Sequence, residues 1–236
     1  MRIGMVVAIA EEIKALKEIL GEPRWSGDVC GFPLMNFDYH GHHICVVQSG
    51  AGEIKAAAAT QLLLTRYKKN PVNMIANFGV CGGLTVNMQG GKTVVVDKVV
   101  HYDYDVSAVD GTWPARYEEY DSVYIPANEE LVSAAMLNDT PLNRATCASG
   151  DKFISKATEK HRLFETYGAQ ICDMESAGIL LTANRVGKPT LLIKTVSDGL
   201  SGGADEYKQL VRESARTCVK TILVVLNSLI EKGDTE

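Results

Sequence analysis

The sequence lacks the features that mark whole classes of function. No cluster of Lys or Arg exceeds two residues and the formal net charge is -5, which excludes a nucleic-acid surface built on concentrated positive charge. No apolar run approaches the roughly 18 residues of a membrane span. The expected partner is therefore a small molecule, with no nucleic acid and no membrane. Six cysteines (Cys30, Cys45, Cys81, Cys147, Cys172, Cys218) stand singly, with no CxxC pair. That spacing argues against a disulfide framework or a zinc site and for free thiols in a reducing compartment. The opening residues run into an apolar strand pattern without a basic leader and cleavage site, so a cytoplasmic protein is expected. Internal repeats, low-complexity tracts and linkers are also missing. A chain of 236 residues can bury one sizeable core, and a single domain over 1–236 is expected.

What is present is alternation. Apolar runs of strand length (Ile3 to Ile9, Leu34 to Tyr39, Ile44 to Gln48, Met74 to Phe78, Thr93 to Val100, Arg144 to Ala148, Ala169 to Cys172, Thr190 to Val196) are interleaved with helical periodicity. The helices are expected at Glu11 to Leu20, Glu53 to Tyr67, Asn128 to Met136, Lys156 to Thr166, Met174 to Arg185 and Glu206 to Glu231. Such alternation is the βαβ signature, and strands apolar throughout need helices on both faces. The reading is a three-layer α/β/α sandwich around a mixed, largely parallel sheet. Tyr39 to His43 reads as a hairpin turn. Its histidines, His40, His42 and His43, have no carboxylate or cysteine set beside them in sequence, so no metal is expected. The long C-terminal helix repeats Val211, Ala215, Cys218, Ile222, Val225 and Leu229 at helical spacing, and should pack on the sheet. The segment from Tyr102 to Pro126 is the least patterned and suits a substrate or subunit-contact loop.

Carboxylates gather where strands end. Leu191-Leu192-Ile193 leads toward Val196-Ser197-Asp198-Gly199, Ala169 to Cys172 leads into Asp173-Met174-Glu175, and the opening strand leads into Glu11-Glu12. Ligands collect in the crevice at the carboxyl ends of strands in open α/β sheets. With no cation adjacent in sequence, these acids suggest a site rather than salt bridges. Glycine-rich segments, Ser49 to Gly52, Gly79 to Gly83 and Ser149 to Asp151, also follow strands and read as turns sharing one pocket. None is a Walker A loop or a dinucleotide fingerprint, so no cofactor is expected.

Asp173-Met174-Glu175-Ser176-Ala177 and Val196-Ser197-Asp198-Gly199 resemble signatures of the nucleoside phosphorylase and nucleosidase superfamily. So do Met1-Arg2-Ile3-Gly4 with Ala8 to Glu12, Phe78 to Leu84, and Ser149 to Ile154, in the same order over nearly the whole chain. Within that superfamily the chain looks most like the 5′-methylthioadenosine/S-adenosylhomocysteine nucleosidases.

The resemblance implies a phosphorylase-like fold and hydrolysis of the N-glycosidic bond of a purine nucleoside, methylthioadenosine and/or S-adenosylhomocysteine, giving adenine and the thioribose. By the same resemblance Asp198 is the general acid, which needs a carboxyl kept protonated by burial, and Ser197 orients it. Glu12 activates the water, while Glu11 is a first-turn helix residue. Glu175 accepts from the ribose hydroxyls, Met174 packs on the sugar, Phe153 stacks on the purine and the Ile154 backbone reads its edge. Each has a plainer reading: Asp198 as a helix cap, Glu12 and Glu175 as helix-start acids, Met174 and Phe153 as core. Val80 stands where the phosphorylases place a phosphate-binding serine, and it has no donor for an anion. Asp173 stands where glutamate is commoner and Lys194 where arginine is. A homodimer is implied, with Tyr102 to Tyr124 near the contact and shaping the 5′ pocket. A phosphate-dependent phosphorylase and a non-catalytic nucleoside-binding protein stay open as alternatives.

Overall fold

The structure is a computed structural model that describes residues 1–67, 69–137 and 141–233, with side chains to 230. The chain opens with β1 (Arg2–Val7), α1 (Ala10–Leu20), β2 (Trp25–Val29), β3 (Phe32–Tyr39) and β4 (His42–Gln48). It continues through α2 (Glu53–Arg66), β5 (Met74–Gly83), β6 (Thr93–His101), α3 (Ser107–Asp110), β7 (Ile125–Pro126) and α4 (Glu129–Met136). The remainder is β8 (Asn143–Ser149), α5 (Ala157–Tyr167), β9 (Ile171–Asp173), α6 (Ser176–Asn184), β10 (Thr190–Asp198) and α7 (Ala204–Gly233).

The sheet is mixed. Its centre, β4-β1-β5-β10, is parallel, and β6 joins β10 antiparallel. Two-residue periodicity then sorts the strand side chains between two faces. Ile3, Met5 and Val7 of β1 share one cluster with α1, α4 and α7, while Val6 shares the other with α2 and α6. The α7 stripe of Ala215, Cys218, Val219, Ile222, Val225 and Leu226 is buried on the first face, as its spacing requires. Each large aliphatic side chain buried there contributes about 1.5–3 kcal/mol.

Beyond its layers the sheet also closes. β5 pairs β10, β10 pairs β6, β6 pairs β8, β8 pairs β9, and β9 pairs back to β5. Five strands thus make a ring at one end, capped by a third cluster in which Leu163 of α5 meets Leu84, Val100, Ala148 and Ile154. One of the three glycine segments departs from expectation here. Gly79 to Gly83 is the continuation of β5, with Gly82 opposite Cys172, and not a turn.

The other end is a plain antiparallel meander, β2-β3-β4. The turn expected at Tyr39 to His43 is present, with His40 and Gly41 at positive φ. A carboxylate does stand beside its histidines: Asp38 lies 2.7 Å from His43 in solvent. The strand β2 gave no apolar signal, because four of its five residues are exposed. Among the described residues no helix is long and apolar enough to cross a membrane, and all six cysteines are free.

Candidate active site

Glu12 is the third residue of α1, directly after β1. Its side chain turns back to the helix start, where Oε2 accepts from the Ala8 and Ile9 backbone N–H groups at 3.1 Å each. Oε1 accepts from the Val80 N–H at 2.9 Å. The residue therefore does the capping work of a helix-start acid and still faces the pocket. Burial raises its carboxyl pKa, against the pull of these donors and of Lys194. A carboxylate offers about four lone-pair sites, so three backbone donors leave one for a further partner. Glu11 is exposed, as a first-turn residue should be.

Gly79 and Gly82 have a spatial rather than a turn-making reason. A Cβ on Gly79 would stand 2.7 Å from Glu12 Oε1, and one on Gly82 would stand 3.3 Å from Asp198 Oδ2. Glycine lets the two carboxylates lie against β5. The segment Ser49 to Gly52 is a true turn, with Gly50 and Gly52 at positive φ, and its Gly52 N–H donates to Glu175 Oε1 at 3.1 Å.

Glu175 stands directly before α6, where its side chain makes no capping bond to the helix, and is buried. Burial first, and the neighbouring Asp173 charge second, push its carboxyl up to about 7. Asp173 behaves oppositely. Burial opposes its charge, but the Lys194 ammonium at 2.7 Å, with the Ser149 and Ser176 hydroxyls, holds its carboxyl below the ordinary value. Ser149 also bonds Glu53, buried at the start of α2, whose carboxyl burial and the Asp173 charge push up to about 8. Glu53 was legible in sequence only as the first residue of a helix.

Asp198 ends β10 at a slip in register between Val196 and Asp198. The Ser197 hydroxyl lies 3.0 Å from its Oδ1 and 3.2 Å from the Cys81 carbonyl oxygen. Its Oδ2 accepts from the Lys160 ammonium at 2.6 Å. Here the structure corrects a sequence expectation: the strand-end acids are not without cations. Lys160 is 38 positions from Asp198, on α5, and Lys194 reaches Asp173 of β9 from β10, on the far side of β5. Neither pairing is local enough to show in sequence. Burial raises the Asp198 carboxyl pKa, and Lys160 opposes that rise.

Glu12, Val80, Phe153, Ile154, Met174, Glu175, Ser197 and Asp198 all line one pocket. Phe153 is 42% exposed, unlike a core aromatic, and meets the Tyr207 ring edge-on at 5.4 Å. Tyr207, from the first turns of α7, lines the same pocket and was missed in sequence. Its only signal was a tyrosine near the start of a long amphipathic helix. Among the described residues the one cation on the lining is Lys152, which is paired with Glu159 at 2.7 Å. Among the described residues no group of three or more His, Cys, Asp or Glu is disposed to hold a metal.

Known proteins place this geometry in context. The chain is 28% identical to a 5′-methylthioadenosine/S-adenosylhomocysteine nucleosidase of Shewanella halifaxensis over 88% of this chain and 92% of that one. It is 27% identical to the enzyme of the same name from Bacillus subtilis, over 97% and 100%. Among solved structures, a futalosine hydrolase mutant of Helicobacter pylori superposes with a TM-score of 0.89 at 22% identity, covering 96% of this chain and 99% of that one. The 5′-methylthioadenosine/S-adenosylhomocysteine nucleosidase of S. pneumoniae, bound to a transition-state inhibitor, superposes at 0.86 and 22% identity, over 97% and 100%. The family model described as the phosphorylase superfamily matches residues 2–231, and by that match the chain belongs to the phosphorylase superfamily.

Proposed function

We propose that this chain hydrolyses the N-glycosidic bond of a purine nucleoside, methylthioadenosine or S-adenosylhomocysteine, and acts as one domain in the cytoplasm. The observation that carries the reading is Glu12: a carboxylate bound by three backbone N–H groups, with one lone-pair site left, in a pocket that no arginine among the described residues lines. Such a lining suits a neutral water and repels phosphate. The names of the relatives support the substrate class.

The chemistry follows from charge. As the C1′–N bond breaks, its electron pair leaves with the purine and positive charge builds on the ribose. Asp198 gives its proton to N7 of the departing purine. Burial helps keep that proton in place until it is needed. The oxygen of a water bonds to C1′ while its proton passes to Glu12. Glu175 accepts from the ribose hydroxyls, its ionised form placing a negative charge near the developing cation, and Met174 covers the sugar. Phe153 and Tyr207 offer aromatic surface to the purine, and the Ile154 backbone its polar edge. No cofactor takes part in these steps.

Two copies of the chain pair through the segment 102–124. Val109 and Trp113 within it are 90% and 77% exposed, an apolar pair that a partner would cover. Sedimentation should give a dimer, and Val109→Ser with Trp113→Ser should shift it toward monomer; an unchanged monomer in both proteins would refute the pairing.

Free-adenine release from methylthioadenosine, S-adenosylhomocysteine and adenosine, with and without added phosphate, tests the activity, with inosine as a control. Phosphate-independent release is expected. Release only with phosphate would make the protein a phosphorylase, and binding without release would make it a nucleoside-binding protein.

A further inference from the structure

The least expected group beside the pocket is an ammonium. Lys160 is fully buried, and its Nζ donates to three oxygens: Asp198 Oδ2 at 2.6 Å, the Gly199 carbonyl at 2.7 Å and the Asp198 carbonyl at 3.4 Å. All three of its N–H bonds are thereby used, in one direction. Burying a lysine is costly unless its charge is matched, and every partner here belongs to residues 198 and 199. Leu163, one turn further along α5, anchors that helix in the cluster beneath the ring.

We propose that Lys160 is the positioning residue of the reaction: it fixes the Asp198 carboxyl against the pocket and sets the pH range over which that carboxyl carries a proton. The proposal rests on the function proposed above. Two of the three acceptors are backbone carbonyls beyond the register slip of β10, so the lysine pins the strand end as well as the carboxyl.

The charges around Asp198 leave this role to Lys160. From β10 the Ser197 hydroxyl faces Oδ1. From β9, Cys172 is a thiol pushed up to about 12 by burial, and from α7, Tyr207 is a phenol pushed up to about 12 by burial, so both are neutral. Glu206 of α7 accepts from the Gly199 N–H at 2.9 Å, and its charge favours the protonated form of Asp198. Among the described residues Lys160 is the one cation in contact, and it favours the carboxylate. Burial and Glu206 thus hold the proton on, while Lys160 makes it easier to give away, which suits a proton donor.

The test compares Lys160→Met, Lys160→Gln and Lys160→Arg with the parent in two ways. One is the pH profile of kcat/KM for adenine release; the other is the Asp198 carboxyl-carbon titration by NMR in the unliganded protein. Loss of the positive charge should lower the kcat/KM plateau about tenfold or more. It should also move the descending limb and the carboxyl midpoint to higher pH by about one unit or more. Lys160→Arg should keep the parent limb. A residue that merely holds the fold would lower the plateau and leave the limb in place, so an unmoved or downward-moving limb and midpoint overturn the proposal. If the neutral variants do not fold, the unaltered protein decides. Its Lys160 ammonium nitrogen resonance should shift as the Asp198 carboxyl changes protonation, and a resonance that ignores that change overturns the pairing. A parent that releases no base refutes the hydrolase reading alone, because the carboxyl titrations still report on Lys160.

Discussion

The β2-β3-β4 meander and the strand ring belong to one sheet and handle charge in opposite ways. In the meander, Asp38 meets Arg24 at 3.2 Å and His43 at 2.7 Å, all in solvent. Its hydrogen bond to His43 lowers the Asp38 carboxyl pKa, but exposed pairs of this kind contribute little. In the ring, Asp173 and Glu53 share the single hydroxyl of Ser149, both out of water. One is held below its ordinary pKa and the other is pushed to about 8, because Lys194 touches Asp173 and not Glu53. Burial turns the placement of one ammonium into the protonation state of its neighbours. The closed end of the sheet is accordingly where proton chemistry can be tuned.

The difference can be broken most sharply at the two acids proposed to handle protons. Asp198→Asn and Glu12→Gln, both close in shape to the parent residues, should each lower kcat for base release by about 10²–10⁴-fold. Circular dichroism should show the fold kept, and near-parental activity in both would end the hydrolase mechanism. Next is Gly79→Ala. Its methyl would displace Glu12 Oε1, so activity should fall about a hundredfold and stability by about 1–3 kcal/mol, read in one set of melts and assays.

A subtler probe is pH. The folded Glu53 and Glu175 carboxyls lie at about 8 and about 7, above the ordinary 4.5. A raised carboxyl binds its proton more tightly when folded, so the stability it adds is complete below 4.5 and is lost as pH rises through the folded value. Urea midpoints should therefore fall between pH 5 and pH 8, and Glu53→Gln should flatten that fall. Asp173 works in the opposite sense and loses its contribution only in acid, below about 3.8. The smallest effect is expected in the meander. Gly41→Ala, at φ +77, should cost about 1 kcal/mol and leave base release unchanged. A large activity loss there would contradict the division between the two ends.

Legibility in sequence followed the range of the interactions. The strand-end positions of Glu12, Glu175 and Asp198 were readable because a strand and the residues after it are local, and strand ends are where a sheet of this kind presents side chains. The helices other than α3 were readable within one or two residues, since their apolar stripes are periodic, whereas the four-residue α3 buries nothing and left no stripe to read. Lys160 and Glu53 were not, because what each touches is decided by closure of the ring. Tyr207 was hidden for a related reason: which residue of α7 reaches the pocket depends on how that helix crosses the sheet. The β2 strand was missed because its pairing with β3 is made by the backbone, while its side chains remain outside.

Closure of the ring also decides how this sheet meets other chains. Following the strand order, one end folds back through β10 onto β5, and the other stops at β2, which pairs β3 alone. Among the described residues β2 is thus the terminal strand of the long path, with its outward backbone groups unclaimed by the sheet. It is five residues long, contains Gly27 and Asp28, and is followed by the tight Cys30-Gly31 bend. A strand so short and polar is a poor template for edge-to-edge growth. For anyone joining this chain to a surface or a second protein, that hairpin is the place to attach: it stands at the opposite end of the strand order from the ring, and nothing in the pocket is built from it.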